Sequence, residues 1–232
     1  MNIEEFIKYN QLNGVILTKE KMKMLEIYKD FLIEYNKKIN LTTITDEKEI
    51  YLKHFYDSLT ISKVIDLSKY DSLLDVGTGA GFPGMVLAIV YPNINVTLVD
   101  SNNKKTKFLE ELKHKLNLDN VTIINERSEE YALKHIDEYD IVTSRAVANM
   151  RVLTELCLPM VKLNGYFIPL KSNIDEEIIE ANKIINILNG KIEKIEKFNL
   201  PIEKSLRNIL LIKKLKNNPK GYPRNYSKIK KG

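Results

Sequence analysis

The sequence is short of the side chains that several kinds of site require. Its single cysteine, Cys157, excludes a disulfide within the chain and a cysteine-rich metal centre. The three histidines, His54, His114 and His135, are widely separated, which argues against a zinc site. No apolar run approaches the roughly 18 residues of a membrane-spanning helix, and the N-terminal residues lack the layout of a signal peptide. These absences predict a metal-free protein of the reducing cytoplasm, without a membrane association.

Positive charge is concentrated at the C-terminal end. The formal net charge is +5, yet eight of the 36 lysine and arginine residues lie within 213–232, where no acidic residue occurs. The rest of the chain carries 28 basic against 31 acidic residues. Because clustered lysine and arginine displace counterions from nucleic acid, this segment is either a phosphate-contacting arm or a solvated, disordered end. Composition alone leaves both interpretations open.

Hydrophobic spacing divides the chain into a helical region and an alternating core. Thr18 is a plausible N-cap of an amphipathic helix, and no strand pattern appears before Asp71. Strands and helices then alternate, which predicts a Rossmann-like α/β fold with a mostly parallel, seven-stranded sheet. Residues 199–207 are too few for a helical crossover between the last two strands, so the last strand should be antiparallel. We expect an N-terminal helical region over 1–60, a core over 61–215 and a basic tail over 216–232.

A glycine-rich loop follows the first predicted strand. Residues 75–84 read D-V-G-T-G-A-G-F-P-G, at the edge where open α/β sheets bind ligands. The segment 79–84 also matches the dinucleotide pattern G-x-G-x-x-G, with Asp100 at the spacing of a ribose-binding acid. Asp75 favours another class, because its carboxylate would repel a pyrophosphate but attract the sulfonium and ammonium groups of S-adenosylmethionine. The loop therefore predicts an S-adenosylmethionine-dependent methyltransferase, with an NAD-binding oxidoreductase as an alternative.

Polar residues after the second and third strands each admit two interpretations. Asp100 ends the second strand, where its carboxylate could accept both ribose hydroxyls of the adenosyl group or act as an N-cap. Ser128 and Glu129 follow the third strand, where they could hold the adenine amino group or simply begin a helix. The residues alone favour neither interpretation.

Several short motifs extend from the N-terminal region to the fifth strand. They are N-L-T at 40–42, H-F-Y-D-S at 54–58, L-D-V-G-T-G-A-G-F-P-G at 74–84, L-V-D-S at 98–101, K-F-L at 107–109, T-S-R-A at 143–146 and L-K at 170–171. The F-P-G and S-R-A segments are far more specific than the glycines. Together the motifs resemble those of the ribosomal RNA small subunit methyltransferase G family, also called glucose-inhibited division protein B.

This resemblance implies an enzyme of the cytoplasm that methylates the N(7) atom of one guanine in 16S ribosomal RNA. Its partner would be that RNA or the small ribosomal subunit, and the chain would act as a monomer. By position in the motifs, the residues implied to contact S-adenosylmethionine are Gly77, Phe82, Ser128, Glu129 and Arg145. We add Asp100 to these contacts because it ends the second predicted strand, at the ligand-binding edge of the sheet.

Methylation at guanine N(7) makes positioning more important than proton transfer. The atom has a lone pair and no proton, so no general base is required, and positioning and electrostatics would carry catalysis. Cations that follow the strands are the candidates for this task, since arginine forks onto guanine O6 or phosphate. The positioning candidates are Arg127, Lys171 and Arg207, beside Arg145.

Structural alternatives accompany these assignments. Arg145 could instead form a salt bridge with Glu129 or Asp140. The family usually ends in E-R-H before the last strand, whereas residues 205–208 read S-L-R-N, which puts the substrate role of Arg207 in question. His54 and Asp57 favour a role in seating the N-terminal region on the sheet, with a place in an RNA cleft as the alternative.

The sequence leaves three other functions open. The chain could be a methyltransferase for a different RNA, a protein or a small molecule, because the glycine loop does not identify the acceptor. It could be the NAD-binding oxidoreductase introduced above, which would bind NADH. It could also be an RNA-binding protein with a vestigial cofactor fold, which the intact Asp75, glycines and Asp100 disfavour.

Overall fold

The structure is a computed structural model that describes residues 1–145 and 147–231. Ala146, the last residue of the T-S-R-A motif, and Gly232 lie outside the described residues. The strands in chain order are β1 (Ser72–Val76), β2 (Asn95–Asp100), β3 (Val121–Asn125), β4 (Tyr139–Arg145), β5 (Val161–Lys171), β6 (Gly190–Asn199) and β7 (Leu206–Lys214). They form one sheet in the order β3-β2-β1-β4-β5-β7-β6.

Strand directions follow the prediction. β1 pairs in parallel with β2 and β4, β2 pairs in parallel with β3, and β4 pairs in parallel with β5. β7 is antiparallel to both β5 and β6. The carboxyl ends of the parallel strands therefore share one edge of the sheet, and β7 begins at that same edge.

The start of β5 differs from the predicted pattern. Sequence spacing predicts a helix from Met150 to Val161 and a strand only from Tyr166. In the structure the α-helix ends at Cys157, a short 3₁₀ turn contains Pro159, and β5 begins at once. Proline ends the α-helical hydrogen-bond pattern, and Asn164, with a φ of +65°, lies in an irregularity of the strand and not in a turn before it.

Helices cover both faces of the sheet and form the N-terminal region. Thr18 caps the second helix as predicted, since its Oγ1 accepts a hydrogen bond from the Lys21 amide at 3.3 Å. The α-helices are α1 (Ile3–Leu12), α2 (Lys19–Asn36), α3 (Glu47–Glu49), α4 (Asp57–Leu59), α5 (Gly84–Val90), α6 (Asn103–Leu116), α7 (Ser128–Lys134), α8 (Met150–Cys157), α9 (Ile178–Ile187) and α10 (Tyr226–Lys231). A π-helix, Ile50–Tyr56, joins α3 to α4, and π-helical turns occur often at functional sites.

A separate hydrophobic core lies on each face. One contains Phe6, Tyr28 and Phe55 from the N-terminal region together with Leu73 of β1, so that region packs directly on the sheet. The other is built around α8 and α9 and includes Ile229 of α10. Each fully buried large apolar side chain contributes about 1.5–3 kcal/mol, which is enough to fix the N-terminal helices in place.

The basic C-terminal segment is folded against the second core. Arg224 donates hydrogen bonds from Nε and Nη2 to the buried carboxylate of Glu155, at 2.6 and 2.7 Å. Ile229 is fully buried beside α8. Residues 216–231 are therefore packed against the core, which disagrees with the interpretation of this segment as a solvated, disordered end. Within 1–145 and 147–231, no helix is both long and apolar enough to cross a membrane.

Candidate active site

Asp75 stabilises the glycine loop from inside. Its side chain is fully buried, and Oδ2 accepts hydrogen bonds from Thr78 Oγ1 at 2.7 Å and from the Gly84 amide at 2.8 Å. Burial raises the pKa of this carboxyl to about 6, although both hydrogen bonds oppose the shift. The expectation that Asp75 faces a cationic ligand is therefore corrected: a carboxylate without exposed surface shapes the loop instead.

The outer side of the loop has the features of a ligand cradle. Gly77 and Gly79 have φ values of +69° and +62°, which favour glycine. A Cβ placed on Gly79 would have Lys105 Nζ, 4.0 Å away, as its nearest neighbour, so the loop is open on that side. The loop lies at the end of β1, beside β4, where the strand order changes direction and α/β sheets bind ligands.

Asp100 borders this cradle. Its Oδ2 accepts a hydrogen bond from the Gly79 amide at 2.9 Å, and Oδ1 accepts one from the Asn102 amide at 2.8 Å. Asn102, and not Asp100, is the N-cap of α6, so the N-cap interpretation of Asp100 is wrong. Each carboxylate oxygen keeps a second acceptor site, which suits ribose hydroxyls. A loop that is open at Gly79, beside a carboxylate, fits S-adenosylmethionine, which has hydroxyls and no phosphate.

The residues after β3 are less well distinguished. Ser128 and Glu129 form the first turn of α7, whose N-cap is Arg127 without a side-chain hydrogen bond. Asn125 Nδ2 donates to the Asp100 carbonyl at 3.1 Å and so ties the ends of β3 and β2 together. Ser128 and Glu129 follow this link by three and four residues, and their place in α7 agrees with the helix-start interpretation. Arg127 is exposed and does not line the cation-rich pocket described next.

Phe82 connects the glycine loop to the N-terminal region. Its ring is 5% exposed and lies between His54 and Tyr28, with ring centroids 4.2 and 5.4 Å away and interplanar angles of 11° and 10°. Tyr28 also donates a hydrogen bond from its hydroxyl to the Ala80 carbonyl. This three-ring stack fixes the loop against α2 and the π-helix, and it leaves the Phe82 backbone as the part that could meet a ligand.

A pocket of 320 Å³ opens beside this stack at the carboxyl edge of the sheet. It brings together three of the four predicted cations, and the side chains that line it are Ile44, Lys53, His54, Asp57, Arg145, Leu170, Lys171, Ser172 and Arg207. Arg145 ends β4, Lys171 ends β5 and Arg207 lies near the start of β7. The order of the strands therefore places the cations of one wall of the pocket.

Asp57 organises the two arginines of the pocket. Arg145 Nη1 donates to Asp57 Oδ2 at 3.1 Å, and Arg207 Nε donates to Oδ1 at 3.0 Å. Asp57 is 4% exposed and carries one charge against two guanidinium groups. The predicted salt bridge of Arg145 with Glu129 or Asp140 is wrong, because Arg145 pairs with Asp57. Asp140 lies at the other end of β4 and pairs with Lys162.

His54 is held as a neutral imidazole. Arg145 Nη2 lies 3.2 Å from Nδ1, and Thr42 Oγ1 lies 3.0 Å from Nε2. Because a guanidinium only donates, Nδ1 must accept, and the ring proton lies on Nε2 and points to Thr42. Burial, reinforced by the charge of Arg145, lowers the pKa of His54 to about 3.

The lysines of the pocket are held by acids at its rim. Lys53 pairs with Glu49 and Glu203 at 2.8 and 3.0 Å. Lys171 pairs with Glu177 at 3.0 Å and also donates to the Ala148 carbonyl. The two arginines share the single carboxylate of Asp57, so the pair keeps one unmatched positive charge, which suits a phosphate or the O6 atom of a guanine.

Sequence reasoning missed Lys53 and underrated two of its neighbours. The sequence favoured a structural role for His54 and Asp57, but both residues also line the pocket. The H-x-x-D spacing within a helical segment was the available signal, since residues three apart share a helix face. Nothing in the local sequence around Lys53 indicated that its helix would dock beside the end of β4.

Comparison with known proteins agrees with the family resemblance of the sequence motifs. Residues 21–207 match the family described as rRNA small subunit methyltransferase G. Over 227 residues, covering 97% of this chain and 95% of the relative, the sequence is 48% identical to the ribosomal RNA small subunit methyltransferase G of Bacillus subtilis strain 168. The protein of the same name from Listeria monocytogenes serovar 1/2a is 44% identical to this chain, with the same coverage. A SAM-dependent O-methyltransferase structure from Thermotoga maritima shares the fold, with a TM-score of 0.54, 20% identity, and coverage of 82% of this chain and 73% of that one.

Proposed function

This chain belongs to the rRNA small subunit methyltransferase G family, and we propose that it methylates N(7) of one guanine in 16S ribosomal RNA. It is an S-adenosylmethionine-dependent methyltransferase of ribosomal RNA. The observation that carries the finer proposal is the pair of arginines fixed by Asp57 beside the glycine loop. That arrangement suits an anionic, oxygen-rich acceptor such as an RNA guanine with its phosphate.

The residues divide into a donor side and an acceptor side. When bound, S-adenosylmethionine supplies an electrophilic methyl group on a sulfonium sulfur. The backbone of Gly77 and Phe82 and the carboxylate of Asp100 would hold the donor beside the open side of Gly79. Ser128 and Glu129 would lie toward the adenine. Arg145 stands between the two sides, because its guanidinium lies 5.3 Å from the Phe82 ring and also lines the pocket.

On the acceptor side, Arg145, Lys171 and Arg207 would orient the guanine. Its N(7) lone pair carries no proton, so the chain need not supply a base. His54, whose pKa is lowered to about 3, is a weak base and agrees with that requirement. The arginines bind O6 or phosphate while N(7) stays free to react. We expect catalysis to come from this positioning and from the preorganised charge.

The remaining expectations are part of the same proposal. The partner is 16S ribosomal RNA or the small subunit that contains it, and the protein acts as a monomer in the cytoplasm, where that RNA is assembled. Residues 1–60 and 61–215 form the two walls of the pocket, and residues 216–232 form a basic appendage. A methyltransferase for another RNA, a protein or a small molecule is the alternative, with no observation in its favour.

The test is methyl transfer from tritiated S-adenosylmethionine to naked 16S ribosomal RNA and to small subunits from a strain that lacks the enzyme. We expect label in at least one of the two and none in material from the parent strain, whose guanine is already methylated. Absence of label from both substrates would refute the proposal.

A further inference from the structure

The basic C-terminal segment follows a defined path across the molecule. At the amino edge of the sheet, the buried ammonium of Lys214 pairs with Asp137 and donates to the Pro159 carbonyl at 3.2 Å. Arg224 is then held by Glu155 in α8. Near the start of α8, Arg151 Nη2 donates to the Lys230 carbonyl at 3.4 Å. The segment therefore rises along α8 to the edge that carries the pocket.

A chain of contacts joins the end of this path to the pocket. Lys171, which lines the pocket, pairs with Glu177, and the same Glu177 oxygen accepts a hydrogen bond from the Met150 amide at 2.7 Å. Arg151 is the next residue of α8. The pocket and the C-terminal helix α10 thus lie on either side of the first turn of α8.

Charges on this side of α8 are mostly positive and unmatched. Arg151, Lys183, Lys228, Lys230 and Lys231 form what we call the tail patch. In the described part of the chain none of the five has a salt bridge, and the three lysines of α10 are exposed. A depression of 440 Å³ lies among Arg151, Lys183 and Lys231, and Glu180 is the one acid among the described residues that line it.

We propose that the tail patch is a second contact surface for ribosomal RNA, which binds phosphates of the strand that leaves the pocket; this rests on the proposed function. Clustered cations without acidic partners suit a polyanion, and their link to the pocket through Glu177 fits a continuous nucleic-acid path. The lysines of α10 lie outside residues 21–207, the segment that the family match covers. The anchors at Lys214 and Arg224 hold this surface in place before RNA arrives.

The test compares two variants of equal charge. The patch variant carries Lys228→Gln, Lys230→Gln and Lys231→Gln. The control variant carries Lys191→Gln, Lys216→Gln and Lys220→Gln, three exposed lysines at or near the amino edge. Binding of a 16S ribosomal RNA fragment is measured over a range of KCl concentrations, with calorimetry of S-adenosylmethionine binding to verify the fold.

For the patch variant we expect RNA affinity at low salt to fall at least about tenfold. The slope of log K against log salt should decrease by about 2, at about 0.7 for each lost contact to single-stranded RNA. The KM for RNA should rise with kcat unchanged, and the control variant should keep the wild-type slope. Equal slopes in both variants would overturn the proposal.

Other outcomes are equally decisive. Unchanged RNA affinity together with lost sedimentation on phosphatidylglycerol vesicles would assign the patch to a membrane surface and overturn the proposal. If the wild-type protein methylates no ribosomal RNA but the patch variant still loses RNA affinity relative to the control, the proposed function fails and the tail patch stands.

Discussion

Arg145 donates a hydrogen bond from Nη1 to Asp57 Oδ2 at 3.1 Å, across 88 positions of the sequence. This contact joins the end of β4 to the N-terminal helical region, and the other oxygen of Asp57 holds Arg207 at 3.0 Å. A single carboxylate therefore sets the spacing of the two guanidinium groups that face the acceptor pocket.

Replacing Asp57 by Asn should impair catalysis more than binding of the donor. The amide removes the charge between two like-charged groups and offers an acceptor to only one of them. We expect kcat/KM for RNA to fall about 10- to 100-fold, or about 1.4–2.7 kcal/mol, with S-adenosylmethionine affinity retained. Radiometric kinetics and calorimetry measure the two quantities.

Asp137→Asn is the matched control for that substitution. It also removes a carboxylate paired with a cation, the buried Lys214, but at the opposite edge of the sheet. Both variants should lose free energy of unfolding, whereas only Asp57→Asn should lose kcat/KM per folded molecule. Equal losses of kcat/KM in the two variants would show that Asp57 is merely structural.

A side chain at Gly77 should abolish donor binding. In Gly77→Val the added Cβ would lie 2.5 Å from Val147 Cγ2, on backbone with a φ of +69°. Gly14→Val imposes similar strain, at a φ of +77°, where nothing lies within 4 Å of the Cβ position. The left-handed backbone alone should cost each variant about 1–2 kcal/mol of stability, and the contact with Val147 adds to that cost in Gly77→Val. Only Gly77→Val should lose calorimetric binding of S-adenosylmethionine. Wild-type affinity in Gly77→Val would remove that residue from the donor site.

Asp75 and His54 should give opposite pH dependence of stability. The pKa of Asp75 is about 6 in the folded state, above its ordinary value of 3.8, so the folded state keeps the proton longer. The free energy of unfolding therefore falls as pH rises from about 4 to about 6. The pKa of His54 is about 3, below its ordinary value of 6.5, so the unfolded state takes up the proton first. Its contribution is complete above about pH 6.5 and is lost as pH falls toward 3.

The two slopes oppose each other between about pH 4 and 6, at up to about 1.4 kcal/mol per pH unit each. Relative to the wild type, the slope of stability against pH should therefore become more positive in Asp75→Asn and more negative in His54→Gln. Urea unfolding at several pH values in this window measures both slopes. If both substitutions changed the slope in the same direction, the burial of one of the two groups would be contradicted.

The sheet and part of the pocket followed from sequence because both depend on strand ends. Arg145 and Lys171 follow β4 and β5, which are neighbours in the sheet, so their side chains meet. Arg127 also follows a strand, but β3 lies three positions from β4, or about 14 Å at the usual strand spacing. Order along the chain does not reveal that separation.

The N-terminal wall of the pocket could not be predicted from local patterns. The places of His54 and Asp57 depend on how a helical segment docks, and that docking relies on the stack of His54 and Tyr28 on Phe82. The burial of Asp75 was likewise hidden, because strand alternation does not show whether a polar residue points toward a ligand or into the loop that follows.

We propose that this pocket presents a ribosomal guanine for methylation at N(7). Borohydride and aniline cleave RNA selectively at 7-methylguanine, and primer extension on 16S ribosomal RNA treated with the wild-type protein then locates the cut. We predict one donor-dependent cut at one guanine, absent with Gly77→Val and weakened with Asp57→Asn. Incorporated methyl label without any such cut would contradict the claim.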